Sequence, residues 1–408
     1  MRFTKKEFVA IGVLATLALI GIGAWIHQIT EGLIVTNMRN IFAWGLYIAT
    51  FTFLVGTAAG GLITSSAVYL FNVKTLKPLA PLASLTAFVC VLGAMAMILP
   101  DLGRPERIFY ILMYPNTSSL LVWDFIVLTT YAVLSGLHVY LGYRPIAARR
   151  KGLSETEIER IRESSEKLLR ILAPFSLPFA VLIHTVTAWI FAVLASRPWW
   201  YGGYLAPSFI ASAVVSGTAV VILTSLVAYG LREDLKQAYS MLSKLLATSI
   251  GVLLFLVYND YLVKWWWESS IEKDILSVIF RDNLYLALGE LLIPLVALII
   301  AIRFHGIAKG LVGASTLALV GVFVHRYILM PPAWNVIPLR VEFEVARQLT
   351  KEPIPIVLGE LRYNTSVLVS YWPYTPSIIE WLITIGWLSG VALFLLILGV
   401  LLFREGKR

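Results

Sequence analysis

The chain has 408 residues, 59% of them hydrophobic and 14% charged, with a mean hydropathy of +0.81. A soluble domain cannot hide that much apolar surface, so the composition excludes one and indicates a polytopic membrane protein. The formal charge of +9 then reads as basic loops on one side of a membrane, and the single cysteine, Cys90, excludes a disulfide framework, a Cys-ligated iron–sulfur cluster and a CxxCH haem site within this chain.

Met1 to Lys6 is basic, and an apolar run follows over residues 8–26. The run is too long for a signal peptide and lacks a small-residue cleavage site, so it reads as a first spanning helix. Further apolar runs predict spanning helices over 41–71, 79–99, 120–143, 171–195, 206–231, 242–263, 284–302, 311–329 and 378–403. Each approaches the roughly 20 apolar residues that cross a bilayer, and the fold class is an all-α integral membrane protein of about ten helices in two bundles. The expected organisation is a first four-helix bundle over 1–143, a charged amphipathic segment over 144–170 and a second bundle over 171–330. A proline-bearing loop over 331–377 and a tenth helix with a basic tail over 378–408 complete it. Ser154, with Glu157 three residues on, has the form of a helix-opening capping box.

With the N-terminus inside, 21 of the 33 Lys and Arg residues fall on the inner side, so the positive-inside rule predicts both termini in the cytoplasm. That topology brings His27, Asn40, Trp44, Asp101, Arg104, Trp123 and Asp124 to the outer ends of the first four helices. His325, Arg326, Asp260 and Lys264 reach the same face from later ones. The stretch 98–124 lies between two apolar runs, with Asp101, Arg104, Glu106, Arg107 and Asp124 pinned at one surface. Such charges are costly unless paired or used. The plain alternative is an interfacial loop in which Arg104 pairs with Asp101 and the prolines stop the helix.

The second run contains Gly56-Thr-Ala-Ala-Gly-Gly-Leu-Ile-Thr-Ser-Ser66, small residues suited first to close helix packing. His184 and Glu290 lie inside apolar runs. Intramembrane ionisable groups are functional candidates, and these two, with Asp260, form a candidate proton path; hydrogen-bonded structural residues are the alternative. Among the five histidines, His138 and His184 stand at different depths and make no good pair of haem ligands; His27 and His325 share the outer depth, so haem is disfavoured rather than excluded. No phosphate-binding glycine loop or zinc spacing occurs.

At Asp101-Leu-Gly-Arg-Pro105, Tyr114-Pro-Asn116 and Leu121-Val-Trp-Asp124 the chain resembles the NrfD/PsrC family, the membrane subunits of polysulfide reductase-like respiratory complexes. His184-Thr-Val-Thr-Ala-Trp-Ile-Phe-Ala192 is similar to its ten-helix branch, which includes the membrane subunits of hydrogenase-2, the sulfite-reduction complex and alternative complex III. The sequence departs from the longer members at Tyr201, where they often carry His, and at Asp101, where some do. The resemblance implies a haem-free subunit without its own iron–sulfur cluster that reacts with menaquinone or another quinone in the cell membrane. It implies electron exchange with a ferredoxin-like iron–sulfur subunit on the outer face, with a molybdopterin or nickel–iron catalytic subunit beyond. On this view the quinone is contacted by His27, Asn40, Trp44, Asp101, Arg104, Trp123 and Asp124, and the partner docks on Arg104, Arg107 and Tyr114. Membrane lipid is the other partner, and nucleic acid is not one. The rival readings are a secondary transporter, which ten helices with buried charges also suit, and a purely structural anchor.

Overall fold

The computed structural model describes residues 3–39, 42–266, 270–338, 359–362, 367–370 and 374–404. Among the described residues, ten helices are long and apolar enough to cross a membrane. In chain order the helices are α1 (Lys5–Glu31), α2 (Leu46–Leu70), α3 (Ala80–Met97), α4 (Tyr110–Met113), α5 (Leu120–Arg150), α6 (Glu155–Ala192) and α7 (Leu205–Tyr229). They continue with α8 (Lys236–Trp266), α9 (Ser270–Asp282), α10 (Leu284–Arg303), α11 (Ala308–Tyr327), α12 (Met330–Asn335) and α13 (Ile378–Leu398), the last extended by a π-helical turn over Gly399–Phe403. All but α4 and α9 belong to spanning segments, α11 and α12 sharing one, which matches the ten runs read from the sequence. A small antiparallel sheet, β1 (Val336–Pro338), β2 (Gly359–Arg362) and β3 (Val367–Ser370) in the order β1-β3-β2, lies within the stretch expected to be loop.

The helix starts follow local chemistry. Thr4, Ser154 and Ser377 each cap a helix, and a glutamate three residues on (Glu7, Glu157, Glu380) returns the bond to the cap backbone. The 144–170 segment is shared by two long helices. α5 runs on to Arg150, α6 starts at Glu155, and the two pack as an antiparallel hairpin. At 38 residues α6 is about 57 Å long, well beyond a hydrocarbon core of about 30 Å.

α2 is the centre of the molecule. It packs against α3, α6, α7 and α11, and almost all of its residues are buried. Its small residues permit this: a Cβ on Gly60 would stand 2.7 Å from the Gly217 Cα of α7, and one on Gly61 would stand 2.7 Å from the Ala83 carbonyl oxygen of α3. Helix association inside a bilayer depends on such close packing. Gly60→Val is therefore expected to destabilise the protein by about 1–3 kcal/mol or more by overpacking. Gly12→Val, at a site with nothing within 4 Å, is expected to be neutral. Thermal melting of the two purified variants checks this, and equal melting temperatures would show that the crossing is not tight.

The grouping of helices differs from the expected one. α1 stands against α13 at the edge, with a Cβ on Gly386 reaching within 2.9 Å of the Gly21 nitrogen. The first bundle is instead α2, α3, α5 and α6, and the second is α7, α8, α10 and α11. The apolar middle of α1 carries no pattern that names its neighbour, and the ion pair of Glu7 with Arg404, just beyond α13, joins residues far apart in the chain.

Candidate functional site

α3 ends in a short 3-10 turn, Leu99–Asp101, because Pro100 cannot continue the helix. This leaves Asp101 at the membrane end of the bundle, with its Oδ1 buried and unbonded among the described residues. Two other buried side chains frame the same turn. Gln28, in the last turns of α1, donates from Nε2 to the Pro100 carbonyl at 2.7 Å, and Tyr47 on α2 donates to Gln28 Oε1 at 2.5 Å. Beside them lies Glu380, fully buried at the start of α13. Its carboxylate accepts from the Asn37 amide at 2.9 Å and from the Tyr374 hydroxyl, which in turn accepts from the Leu46 amide at 2.9 Å. Burial and then the Glu380 charge push the Tyr374 phenol far above its usual range, so it remains a donor. Asp101 and Tyr47 both lie within electrostatic reach of Glu380.

Around this node the other expected residues take different positions. His27 is exposed, one residue before buried Gln28. Asn40 lies outside the described residues. Trp44 is half-buried, its ring 5.4 Å from Phe191 and 5.7 Å from Trp200, and Trp200 stands 5.0 Å from Trp334. This aromatic block joins the two bundles at the Asp101 end. Trp123 is exposed, its indole donating to the Thr117 carbonyl at 2.8 Å. Asp124 is buried on α5, its Oδ1 accepting from Thr187 of α6 at 2.6 Å. Arg104, Arg107 and Tyr114 are all exposed on the loop after Asp101, which also shows Phe109, Leu112 and Met113.

The three residues of the candidate proton path occupy two neighbouring clusters. Glu290 and Asp260 share one. Glu290 Oε1 lies 2.6 Å from His325 Nδ1, its Oε2 accepts from Tyr261 at 3.0 Å, and Asp260 pairs with Lys264 at 2.6 Å. Lys264 also sits 3.9 Å above the Trp199 ring. Asp260 is within electrostatic reach of both Glu290 and His325.

His184 is in the other cluster. It is fully buried, faces the Gly56 backbone of α2, and neither ring nitrogen is hydrogen-bonded among the described residues. Arg326 of α11 shares that spot. It is 0% exposed, yet it has no carboxylate partner among the described residues. Its Nη2 donates to Ser212 at 2.6 Å and to the Phe209 carbonyl at 3.2 Å, and its guanidinium lies 3.5 Å over the Phe209 ring. Nε and Nη1 have no partner there. Gly56 of α2 borders the cation: a Cβ there would stand 3.8 Å from Arg326 Nη2, an ordinary contact distance. The Tyr204 ring stands 5.8 Å from Lys264 Nζ, beside the first cluster.

Sequence reasoning missed Gln28, Tyr47, Tyr261, Tyr204, Tyr374 and Glu380 as site residues, and it placed His325 and Arg326 at the outer face without a role. The adjacent His325-Arg326 pair within an apolar run was the available signal, since a charge there must be used or paired.

The profile of the family described as Polysulphide reductase, NrfD, matches residues 34–338. The membrane component of a putative dimethyl sulfoxide reductase of Halobacterium salinarum is 42% identical over 221 residues, 53% of this chain and 51% of that protein, so the match spans about half of each. A selenate reductase component of Mesobacillus selenatarsenatis is 27% identical over 94% of this chain and 91% of its own length. An Hdr-like menaquinol oxidoreductase integral membrane subunit of Archaeoglobus fulgidus is 24% identical over 98% and 93%.

Proposed function

The chain belongs to the polysulphide reductase NrfD family, and on that premise we propose that it is the quinone-reactive membrane subunit of a respiratory oxidoreductase complex. The observation that carries the reading is the buried, unbonded Asp101 oxygen beside the Tyr47–Gln28 pair. Quinone recognition needs polar groups at two carbonyl oxygens and a flat apolar surround. Bound there, a quinone would supply two-electron, two-proton chemistry. Asp101 is the group that holds or releases a proton, Tyr47 and Gln28 orient, and the exposed His27, Arg104 and Trp123 lie at the approach, with Asp124 and Trp44 set deeper. The relatives' names support menaquinol as the quinone and a reductase complex as the setting, and they lend nothing to the transporter alternative.

The exposed loop after Asp101 is the docking surface for an iron–sulfur partner, with a molybdopterin or nickel–iron subunit beyond it. This side faces outward from the cell membrane, with both termini in the cytoplasm. Arg104→Glu combined with Arg107→Glu is expected to lower recovery of the partner on affinity purification at least about tenfold, because like-charge contacts cost several kcal/mol at an interface. Undiminished recovery would remove the loop from the interface.

The function itself is tested by deleting the chain. Quinol-linked turnover of the catalytic subunit should vanish while its turnover with an artificial dye remains. Surviving quinol-linked turnover would overturn the reading.

A further inference from the structure

At the opposite end of the bundle from Asp101 lies a cavity of about 480 Å³ between the α2–α3 turn, the α5–α6 hairpin and the α7–α8 turn. It has no place in the quinone reading. Its rim carries Lys74, Lys77, Arg149, Arg162 and Arg232 against two carboxylates, Glu166 and Asp234, a formal excess of three positive charges. The carboxylates are engaged in Lys77–Glu166 at 2.6 Å and Arg232–Asp234 at 2.8 Å, and Arg162 also meets Glu159 at 2.7 Å. These pairs are partly exposed and so weak that an incoming anion can replace a carboxylate.

Two further observations point to a ligand. Ser165 lines the cavity, is 2% exposed, and its hydroxyl has no partner among the described residues. A buried hydroxyl left unbonded is costly, and a phosphate oxygen would satisfy it. One wall is apolar, formed by Leu141, Ile146 and Leu169. α3 runs from this cavity to the Asp101 turn in 18 residues, about 27 Å, close to the thickness of a hydrocarbon core. The cavity therefore stands at the headgroup level of one leaflet, with its apolar wall toward the acyl region.

We infer that this cavity binds the phosphate headgroup of an anionic phospholipid, with the basic rim and Ser165 as its donors. Basic pockets between spanning helices are suited to such headgroups. Free inorganic phosphate shares the anion but has no use for the apolar wall or the interfacial depth.

The test uses the full chain in detergent micelles doped with phosphatidylglycerol or phosphatidylcholine, or supplied with inorganic phosphate. The readouts are thermal melting and lipid retention by native mass spectrometry. Phosphatidylglycerol should raise the melting temperature and be retained, and the other two should not. Lys77→Gln combined with Arg232→Gln should weaken phosphatidylglycerol retention about tenfold or more, on the scale of two lost basic contacts. Ser165→Ala, which keeps every charge and a small side chain, should weaken it by a smaller factor. Arg303→Gln, an exposed cation at the same end outside the cavity, should leave it unchanged. Equal stabilisation by inorganic phosphate would replace the lipid by a soluble anion and overturn the proposal. Equal losses from Arg303→Gln, or none from either cavity variant, would do the same. None of these outcomes bears on quinol turnover, so failure here leaves the redox reading standing.

Discussion

Asp101→Asn is expected to lower the quinol turnover of the purified complex by about 100-fold, the scale at which a positioned proton acceptor acts. The replacement keeps the shape of the side chain and removes only its ability to take a proton. Tyr47→Phe should raise KM with a smaller loss of kcat, because the phenol orients and its removal leaves Gln28 Oε1 without its donor. His27→Ala should cost less than either, since that ring is exposed rather than part of the buried node. Steady-state quinol oxidation, with assembly checked by gel filtration, measures all three. An assembled Asp101→Asn complex with parental turnover would remove Asp101 from the reaction.

The second large effect is expected at Glu290. Glu290→Gln keeps a hydrogen-bonding partner for His325 and Tyr261 but ends proton exchange at that carboxylate. If the two polar clusters form one route, proton release by the complex in sealed vesicles should fall to about the outward-only value while electron transfer continues at a reduced rate. His184→Ala and Arg326→Gln should reproduce that loss from the other cluster. Asp260→Asn should share it in part, because Asp260 acts on Glu290 and His325 through their charges. Removing one partner of a buried pair costs about 3–5 kcal/mol, so the melting temperature must be followed in parallel. A folded Glu290→Gln complex with the parental proton-to-electron ratio would leave these residues as structural bonds only.

The ten spanning helices were legible because each apolar run carries its own evidence, and so was the Ser154 cap, whose two partners are three residues apart. α9 was not foreseen. It is 13 residues long and charged, so it is too short to span and reads as part of a polar connection. The node at Asp101 was half legible. A lone carboxylate between prolines announces itself, but Asn37 and Glu380 are 343 residues apart and nothing local links them. The same holds for His325 and Glu290, 35 residues apart on helices whose facing sides look alike in sequence. Trp200 and Trp334 are likewise far apart in the chain, yet both are buried in the block that joins the bundles.

The pairing of α1 with α13 has a consequence for biosynthesis. A ribosome delivers α1 first and α13 after all the other helices, so α1 enters the bilayer without its main neighbour. The Asn37 amide and the Tyr374 hydroxyl likewise wait for Glu380, which arrives with α13. The Asp101 end is thus finished only when α13 has entered the bilayer, even though Gln28, Tyr47 and Asp101 were inserted long before. A nascent chain halted before α13 would already hold both four-helix bundles and still lack a closed site.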